Sequence, residues 1–212
     1  MTIRQTRIAA FTFSVIPGII NILGIKMLGI VLTNVTGHYS GAVQQLGGES
    51  WKEIFMISTY IFMYWIGSFC ASSCFIYGNR KGNGFIKAIP LLVNLGIMLW
   101  ALKANNIPIY LFFFATSVQN SFGANHSKNE IRPSQITGVV MSSGLDIAKY
   151  FYADCTKEAK RAIISSFTNK MLNIIGFVTG GTIAFFYTTI SILWIPVTFY
   201  GIVAILVIQK KL

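Results

Sequence analysis

Two five-residue stretches of matching residue types carry the polar groups best suited to bind a small solute. We call Thr33-Asn34-Val35-Thr36-Gly37 the first motif and Ser134-Gln135-Ile136-Thr137-Gly138 the second motif. Both read hydroxyl, carboxamide, β-branched apolar residue, Thr and Gly. Thr is a common helix N-cap, and the N–H groups after a cap can donate to a polar or anionic ligand. We therefore predict a helix start at each motif, with Thr36 and Thr137 as the N-caps.

Further polar residues fall inside or beside the apolar runs of the chain. Carboxamides and hydroxyls at membrane depth need hydrogen-bond partners, and they commonly face a bundle interior or a water-filled cavity. One interpretation is a pocket between the two motifs for a polar or anionic small molecule, with Arg132 as the nearest cation. The other is that these groups only join helices and satisfy broken backbone. The predicted binding residues are Asn21, Asn34, Thr36, Gly37, Gln119, Asn120, Arg132, Gln135, Thr137 and Gly138.

Residue types that catalyse reactions or bind metals are sparse in this sequence. The two histidines, His38 and His126, fall on opposite sides of the membrane in the arrangement described below. The three cysteines are too few for a disulfide framework or a metal cluster. Ser40 lies near His38, but no third group orients the pair, and the sequence has no phosphate-binding or dinucleotide motif. We predict no catalytic residue, no metal site and no cofactor, and hence no enzyme.

The composition is that of a membrane domain. Hydrophobic residues make up 54% of the 212 residues and charged residues only 11%, whereas soluble domains carry about 25% charged residues. The formal net charge is +11, but the cations lie in short clusters between apolar runs, which argues against nucleic-acid binding. The length allows one membrane domain over residues 1–212, with the lipid bilayer as its surroundings.

Six apolar runs are long enough, or nearly so, to cross a bilayer as helices. Pro17-Gly18 inside the first run predicts a kink or a break. A short segment of mixed polarity follows each motif, and we interpret both segments as broken or re-entrant helices. The six runs cover approximately residues 8–32, 51–77, 85–102, 107–122, 162–189 and 190–208.

The same features recur in the same order in the two halves of the chain, at about residues 8–103 and 107–209. Each half has an Asn in its first span, then a motif, then an Ile-Gly pair followed by small residues. The small-residue faces, at Gly67 to Cys74 and at Gly176 to Gly181, could serve internal packing or dimerisation. This order predicts an internal duplication.

The distribution of cations predicts the orientation in the membrane. Most of the 17 Lys and Arg, Lys128 and Lys211 among them, lie in segments on the same side as the N-terminus. This asymmetry favours both termini in the cytoplasm. Because each half has three spans, the halves then lie in opposite orientations. We predict an all-α integral membrane fold of about six transmembrane helices, arranged as two inverted three-helix repeats.

The motifs and their neighbours also resemble a known family. Gly18-Ile19-Ile20-Asn21 before the first motif, and Gln119-Asn120 and Arg132 before the second, are similar to the two signatures of the YoaK-like family of bacterial multi-pass membrane proteins (domain of unknown function 1275). The resemblance covers nearly the whole chain and implies about six spans in the bacterial inner membrane, without an established activity. This sequence has Asn21 where the family pattern has Asp, and His38 where it has Asn. The first difference removes an intramembrane carboxylate.

The leading functional hypothesis is a small-molecule transporter or permease that works by rocking one repeat against the other. Two alternatives stay open: a non-transporting structural or partner-binding membrane protein, and a membrane-embedded enzyme. The protein would act alone or as a homodimer. Lys26 and Lys170 are either counter-ions of the substrate or cations that extend to the membrane boundary. Asp146, after the second motif, is the one acidic residue that could relay a proton, but we interpret it as a solvated residue on a surface helix.

Overall fold

The computed structural model describes residues 3–46, 51–106, 108–127, 129–187 and 189–210. These ranges contain helices and no strand, which confirms the predicted all-α class. Ile107, near the predicted start of the second half, and Lys128 and Lys211 of the cation pattern lie outside them. The described helices are α1 (Ile3–Leu28), α2 (Val35–Gln45), α3 (Trp51–Lys81), α4 (Gly84–Ala104), α5 (Ile109–His126), α6 (Ile136–Tyr152), α7 (Lys157–Phe186) and, after a short 3-10 helix at Ile190–Leu193, α8 (Trp194–Ile208).

The helices pack in pairs that are distant in sequence. Helix α1 lies along α7, α5 lies along α3, and α4 lies along α8. The two helices that follow the motifs pack on the next long helix of the chain, α2 on α3 and α6 on α7. The first helix of each half therefore contacts the other half more extensively than its own.

Glycines allow these long helices to approach each other closely. A Cβ atom on Gly67 would overlap the Phe114 carbonyl oxygen of α5, and one on Gly176 would overlap the Phe11 carbonyl oxygen of α1. In lipid, small residues let two helix backbones approach each other more closely than Leu or Phe would allow. Both small-residue faces therefore contribute to internal packing in this structure.

The Pro17-Gly18 pair does not interrupt α1, so the predicted break is wrong. The helix continues through Pro17 to Leu28. A Cβ atom on Gly18 would overlap the Phe177 carbonyl oxygen, so this glycine is a point of close approach between α1 and α7.

Among the described residues, four segments are long and apolar enough to cross a membrane, namely α1, α3, α4 and Ile190–Ile208. The prediction of six spans is thus supported for four, and the other two stay predictions. Helix α5 is shorter and buries Thr116, Ser117, Gln119 and Asn120. Interior polar groups of this kind lower the mean hydropathy of a helix without exposing polar groups to lipid.

The outside of the helix bundle is apolar. Large side chains on α3 and α8, such as Phe55, Trp65 and Ile202, are more than half exposed. Exposed apolar surface on this scale is unusual for a soluble monomer and marks an interaction or membrane surface. It agrees with the prediction of a membrane protein.

Candidate functional site

In each half, an Asn side chain of the first helix holds the first residue of the motif. Asn21 Oδ1 accepts hydrogen bonds from the Thr33 backbone N–H at 3.2 Å and from the Thr33 hydroxyl at 3.0 Å. Asn120 Oδ1 accepts from the Ser134 backbone N–H at 2.9 Å, and Asn120 Nδ2 donates to the Ser134 hydroxyl. A carboxamide has both acceptor and donor groups, so it can fix main chain and hydroxyl together. Both motifs are thus fixed to the helix that precedes them.

The motifs do begin helices, but the predicted caps are wrong. The N-cap of α2 is Asn34, whose Oδ1 accepts from the Gly37 N–H at 2.9 Å. The N-cap of α6 is Gln135, whose side chain makes no capping hydrogen bond. Thr36 and Thr137 lie in the first turn of each helix. At α2 the reason is that Asn is at least as good a cap as Thr, so this helix begins after the earlier residue.

The two motifs line one cavity of about 380 Å³, which we call the motif cavity. Residues far apart in the sequence meet here because the loop before α2 and the loop before α6 approach the same point of α3, at Tyr64. The lining residues are Thr33, Asn34, Val35, Thr36, Tyr64, Ser134, Gln135, Ile136, Thr137 and Gly138.

A second cavity, of about 470 Å³, extends between α3 and α5 and shares Tyr64 and Gln135 with the motif cavity. We call it the polar cavity because hydroxyls, carboxamides and one guanidinium surround it. The lining residues are Tyr64, Ser68, Ser72, Ser117, Asn120, Ser121, Ala124, Asn125, Asn129, Arg132 and Gln135.

The charge in the polar cavity is positive. Arg132 lines it, and none of its described lining residues is acidic. Within the described part of the chain, the one ion pair joins Lys170 to Asp146, so Arg132 has no carboxylate partner there. The guanidinium group presents several donors in a geometry that suits carboxylate and phosphate groups. The cavity can therefore accept a polar or anionic molecule.

Comparison with known proteins gives the family. A family model described as "Protein of unknown function (DUF1275)" matches residues 9–206. The chain belongs to the DUF1275 family. The predicted membership is thereby confirmed, and the YoaK-like label within it stays a prediction. No curated protein and no solved structure was found to match.

Most predicted binding residues of this DUF1275 chain meet at the two cavities. Asn120, Arg132 and Gln135 line the polar cavity. Asn21 and Gly37 lie behind the lining, where they hold Thr33 and Asn34 in place. The predicted residues that line the motif cavity are Asn34, Thr36, Gln135, Thr137 and Gly138.

Gln119 is placed away from both cavities. Its Nε2 donates to the Phe13 carbonyl oxygen at 2.6 Å, and its Oε1 accepts from the Tyr200 hydroxyl at 2.7 Å. These bonds join α5 to α1 and α8 in a buried region. Gln119 therefore has the joining role that was the alternative interpretation of these polar residues.

The predicted binding residues do not include the polar stripe on α3 or its partners Ser121 and Asn125 on α5. Ser121 donates to the Ser68 hydroxyl at 2.7 Å, and Asn125 Nδ2 donates to the Ser72 hydroxyl at 3.0 Å. Asn120 Nδ2 likewise donates to the Tyr64 hydroxyl at 2.7 Å. The signal was present, since Tyr64, Ser68 and Ser72 recur every four residues and so share one helix face. In the prediction from sequence, Ser68 and Ser72 belong to a small-residue face for internal packing or dimerisation, and not to a polar stripe.

The remaining candidate residues of the DUF1275 chain have structural contacts. His38 bonds the Val31 carbonyl oxygen at 2.9 Å, and His126 stacks on Phe122. Lys26 donates to the Phe185 carbonyl oxygen. Among the described residues, no group of His, Cys, Asp and Glu is arranged to hold a metal ion.

The interpretation of Asp146 as a solvated residue is wrong. Asp146 is 8% exposed, and its Oδ2 accepts from Lys170 Nζ at 2.6 Å. Lys170 also donates to the Ser142 carbonyl oxygen at 3.1 Å. The pair joins α6, which follows the second motif, to α7.

Proposed function

We propose that the protein is a small-molecule transporter whose substrate, a polar or anionic solute, binds between the two motifs. The observation that carries this proposal is that both motifs line one cavity, next to a polar cavity that contains Arg132 and no acidic lining residue among those described. Polar cavities between broken helices are where secondary transporters of inverted-repeat type bind their substrates. The proposal includes a location in the bacterial inner membrane with both termini cytoplasmic, as the cation pattern predicts.

The helix packing supports an inverted repeat, which is part of the same proposal. Helices α1, α3 and α4 would form one repeat and α5, α7 and α8 the other, with α2 and α6 as the segments after the motifs. If the two repeats are exchanged, the contact of α1 with α7 corresponds to the contact of α5 with α3. The packing of α2 on α3 likewise corresponds to the packing of α6 on α7. It also relates the bond of Asn21 to Thr33 with that of Asn120 to Ser134.

The packing also indicates which parts would move. The pairs α1–α7 and α3–α5 are tightly packed through Gly176 and Gly67, so each pair would move as one body. Tyr64 on the α3–α5 pair meets both motifs at the junction. Because each pair takes one helix from each repeat, the moving bodies would be these pairs rather than the two whole repeats. Their rocking about this junction would open the cavities to one side of the membrane at a time.

Ligand-induced stabilisation tests the binding part of the proposal. The purified protein is screened by thermal unfolding against neutral polar and anionic metabolites, because a ligand that binds the folded state raises its unfolding temperature. The shift given by a hit is expected to fall in Thr36→Val, Thr137→Val and Arg132→Gln. Thr179→Val is the matched control, since Thr179 lies on α7 outside both cavities and its hydroxyl bonds the Ile175 carbonyl oxygen. A shift that survives the two motif variants would place the ligand elsewhere.

A non-transporting structural role is the second candidate, because the hydroxyl and carboxamide bonds between α3 and α5 also hold the bundle together. Counterflow separates the two roles. Proteoliposomes loaded with the unlabelled hit should take up the labelled hit if the protein transports it. Binding without counterflow would favour the structural or partner-binding role.

A further inference from the structure

An apolar groove lies between the beginning of α1 and the end of α8. Its volume is about 500 Å³, and it is separate from the two cavities described above. Exposed side chains, Ile8 of α1 and Ile202 of α8, lie at its sides. The lining residues are Gln5, Ile8, Ala9, Thr12, Phe13, Phe199, Ile202, Val203, Leu206 and Lys210.

The groove exists because its two walls pack on other helices. Helix α1 lies along α7, and α8 lies along α4. The aromatic rings of Phe13 and Phe199 bridge the gap at its floor, edge to face, with centroids 5.0 Å apart. The stacking of Phe13 on Phe122 of α5, at 5.9 Å, fixes this floor from beneath. The groove is therefore a built feature of the bundle and faces outward.

One end of the groove is basic. Lys210 lines it just beyond the end of α8, and none of the described lining residues is acidic. Arg4 precedes Ile8 by one helical turn and so lies on the same face of α1. Gln5, which lines the same end, adds a polar group. The other end, toward Phe13 and Phe199, is apolar.

The length of the groove matches one leaflet of a bilayer. From Gln5 to Phe13 on α1 the helical rise gives roughly 12 Å, and from Phe199 to the end of α8 at Ile208 it gives roughly 14 Å. Half of the hydrocarbon core of a bilayer is about 15 Å thick. A molecule that fills the groove would thus have an anionic head at the membrane surface and an apolar tail that reaches about the midplane.

We propose that this groove binds an anionic phospholipid, with its acyl chain against Phe13, Phe199 and Ile202 and its headgroup phosphate near Arg4 and Lys210. The charge complementarity selects the lipid: a zwitterionic lipid fills the same apolar space but gains less from the two cations. This site is independent of the proposed transport function, since it shares no lining residue with the motif cavity or the polar cavity.

Native mass spectrometry of the full-length protein in neutral detergent measures the selectivity. Dioleoylphosphatidylglycerol is expected to bind more tightly than dioleoylphosphatidylcholine, which has the same acyl chains. Arg4→Gln and Lys210→Gln should each lower the affinity for the anionic lipid roughly fivefold, since a cation near the surface contributes about that factor. Lys103→Gln, at the end of α4, is the charge control and should change nothing. Equal affinity for the two lipids, or an equal loss in Lys103→Gln, overturns the proposal.

A second pair of variants tests the apolar part without altering charge. Ile202→Trp puts a larger side chain into the groove and should lower binding of both lipids, whereas Ile205→Trp should not, because Ile205 is similarly exposed on α8 but lies outside the groove. If Arg4→Gln or Lys210→Gln lowers the unfolding temperature in the absence of lipid, the two tryptophan variants decide whether the groove binds lipid. Equal lipid binding by the two tryptophan variants then overturns the proposal.

Discussion

Asn21 and Thr33 are joined by two hydrogen bonds, both accepted by Asn21 Oδ1, from the Thr33 N–H and from its hydroxyl. Asn120 and Ser134 repeat the relationship in the second half, with an added bond from Asn120 Nδ2 to the Tyr64 hydroxyl. In both halves, therefore, the residue that begins the motif is held by the helix before it. Both bonds at position 21 need only an acceptor oxygen, which Asn supplies without a charge.

The first prediction concerns this acceptor. Asn21→Leu should lower the free energy of unfolding by about 1–2 kcal/mol, because the Thr33 N–H loses its partner in a half-buried site. Asn21→Asp keeps an acceptor oxygen at the same place and should therefore lose less stability than Asn21→Leu. Asn120→Leu should lose more than Asn21→Leu, since Ser134 is more deeply buried and the bond to Tyr64 is lost as well. Thermal unfolding in detergent measures all three, and equal losses in the two position-21 variants would contradict the acceptor role.

The second prediction compares the two motif glycines. A Cβ atom on Gly37 would overlap the Asn34 side chain that caps α2, whereas one on Gly138 meets nothing within 4 Å. In Gly37→Ala the lost cap costs about 1 kcal/mol of stability and offsets the gain from an Ala in the helix, so this variant should be close to neutral. Gly138→Ala has the same gain without losing a cap and should be more stable by up to about 1 kcal/mol. Equal unfolding temperatures of the two variants would show that Asn34 does not cap α2 as described.

The third prediction concerns the contact between α1 and α7. A Cβ atom on Gly180 would overlap the Val15 carbonyl oxygen, and a backbone atom cannot move aside as a side chain can. Gly180→Ala should separate the helices and cost about 1–3 kcal/mol, as overpacking does. Gly96→Ala on α4 is the control, since its Cβ meets nothing within 4 Å. The unfolding temperatures of the two variants are compared. If Gly180→Ala loses no stability, α1 and α7 are less closely packed than described.

The sequence predicts local features of this fold better than contacts between distant helices. The ends of α3, α4 and α8 are near the predicted span limits because apolar runs and polar turns define them. The helix starts at the motifs were also predicted, although the choice of cap was not. Local patterns alone cannot tell whether the carboxamide residue or the Thr two residues after it is the N-cap.

The site depends on residues that only tertiary packing brings together. Tyr64 lies 27 residues after the first motif and 70 before the second, and nothing near it indicates that both motifs contact it. The burial of Asp146 depends in the same way on Lys170 from another helix. Gln119 and Asn120 are adjacent in sequence, yet one joins helices and the other lines the polar cavity. Their directions follow from the rotation of α5 in the bundle, which the residue types do not reveal.

The last prediction concerns the pair of Asp146 and Lys170. Both side chains are mostly buried, at 11% and 16% exposed, so solvent screens their attraction little. Removing one partner leaves the other charge buried and unpaired, which typically costs 3–5 kcal/mol. We expect Asp146→Leu and Lys170→Met each to lower stability by about 3 kcal/mol.

The double variant separates charge pairing from packing. Replacing a buried ion pair by apolar residues of similar volume is often neutral or stabilising. Asp146→Leu combined with Lys170→Met should therefore recover most of the stability that each single variant loses, and this coupling is measured by a double-mutant cycle of unfolding free energies. Losses that simply add would show that the two charges do not stabilise each other. Recovery of stability in the double variant would show instead that an interaction needing both charges holds α6 to α7. This interaction would then fix the position of α6, the helix that follows the second motif.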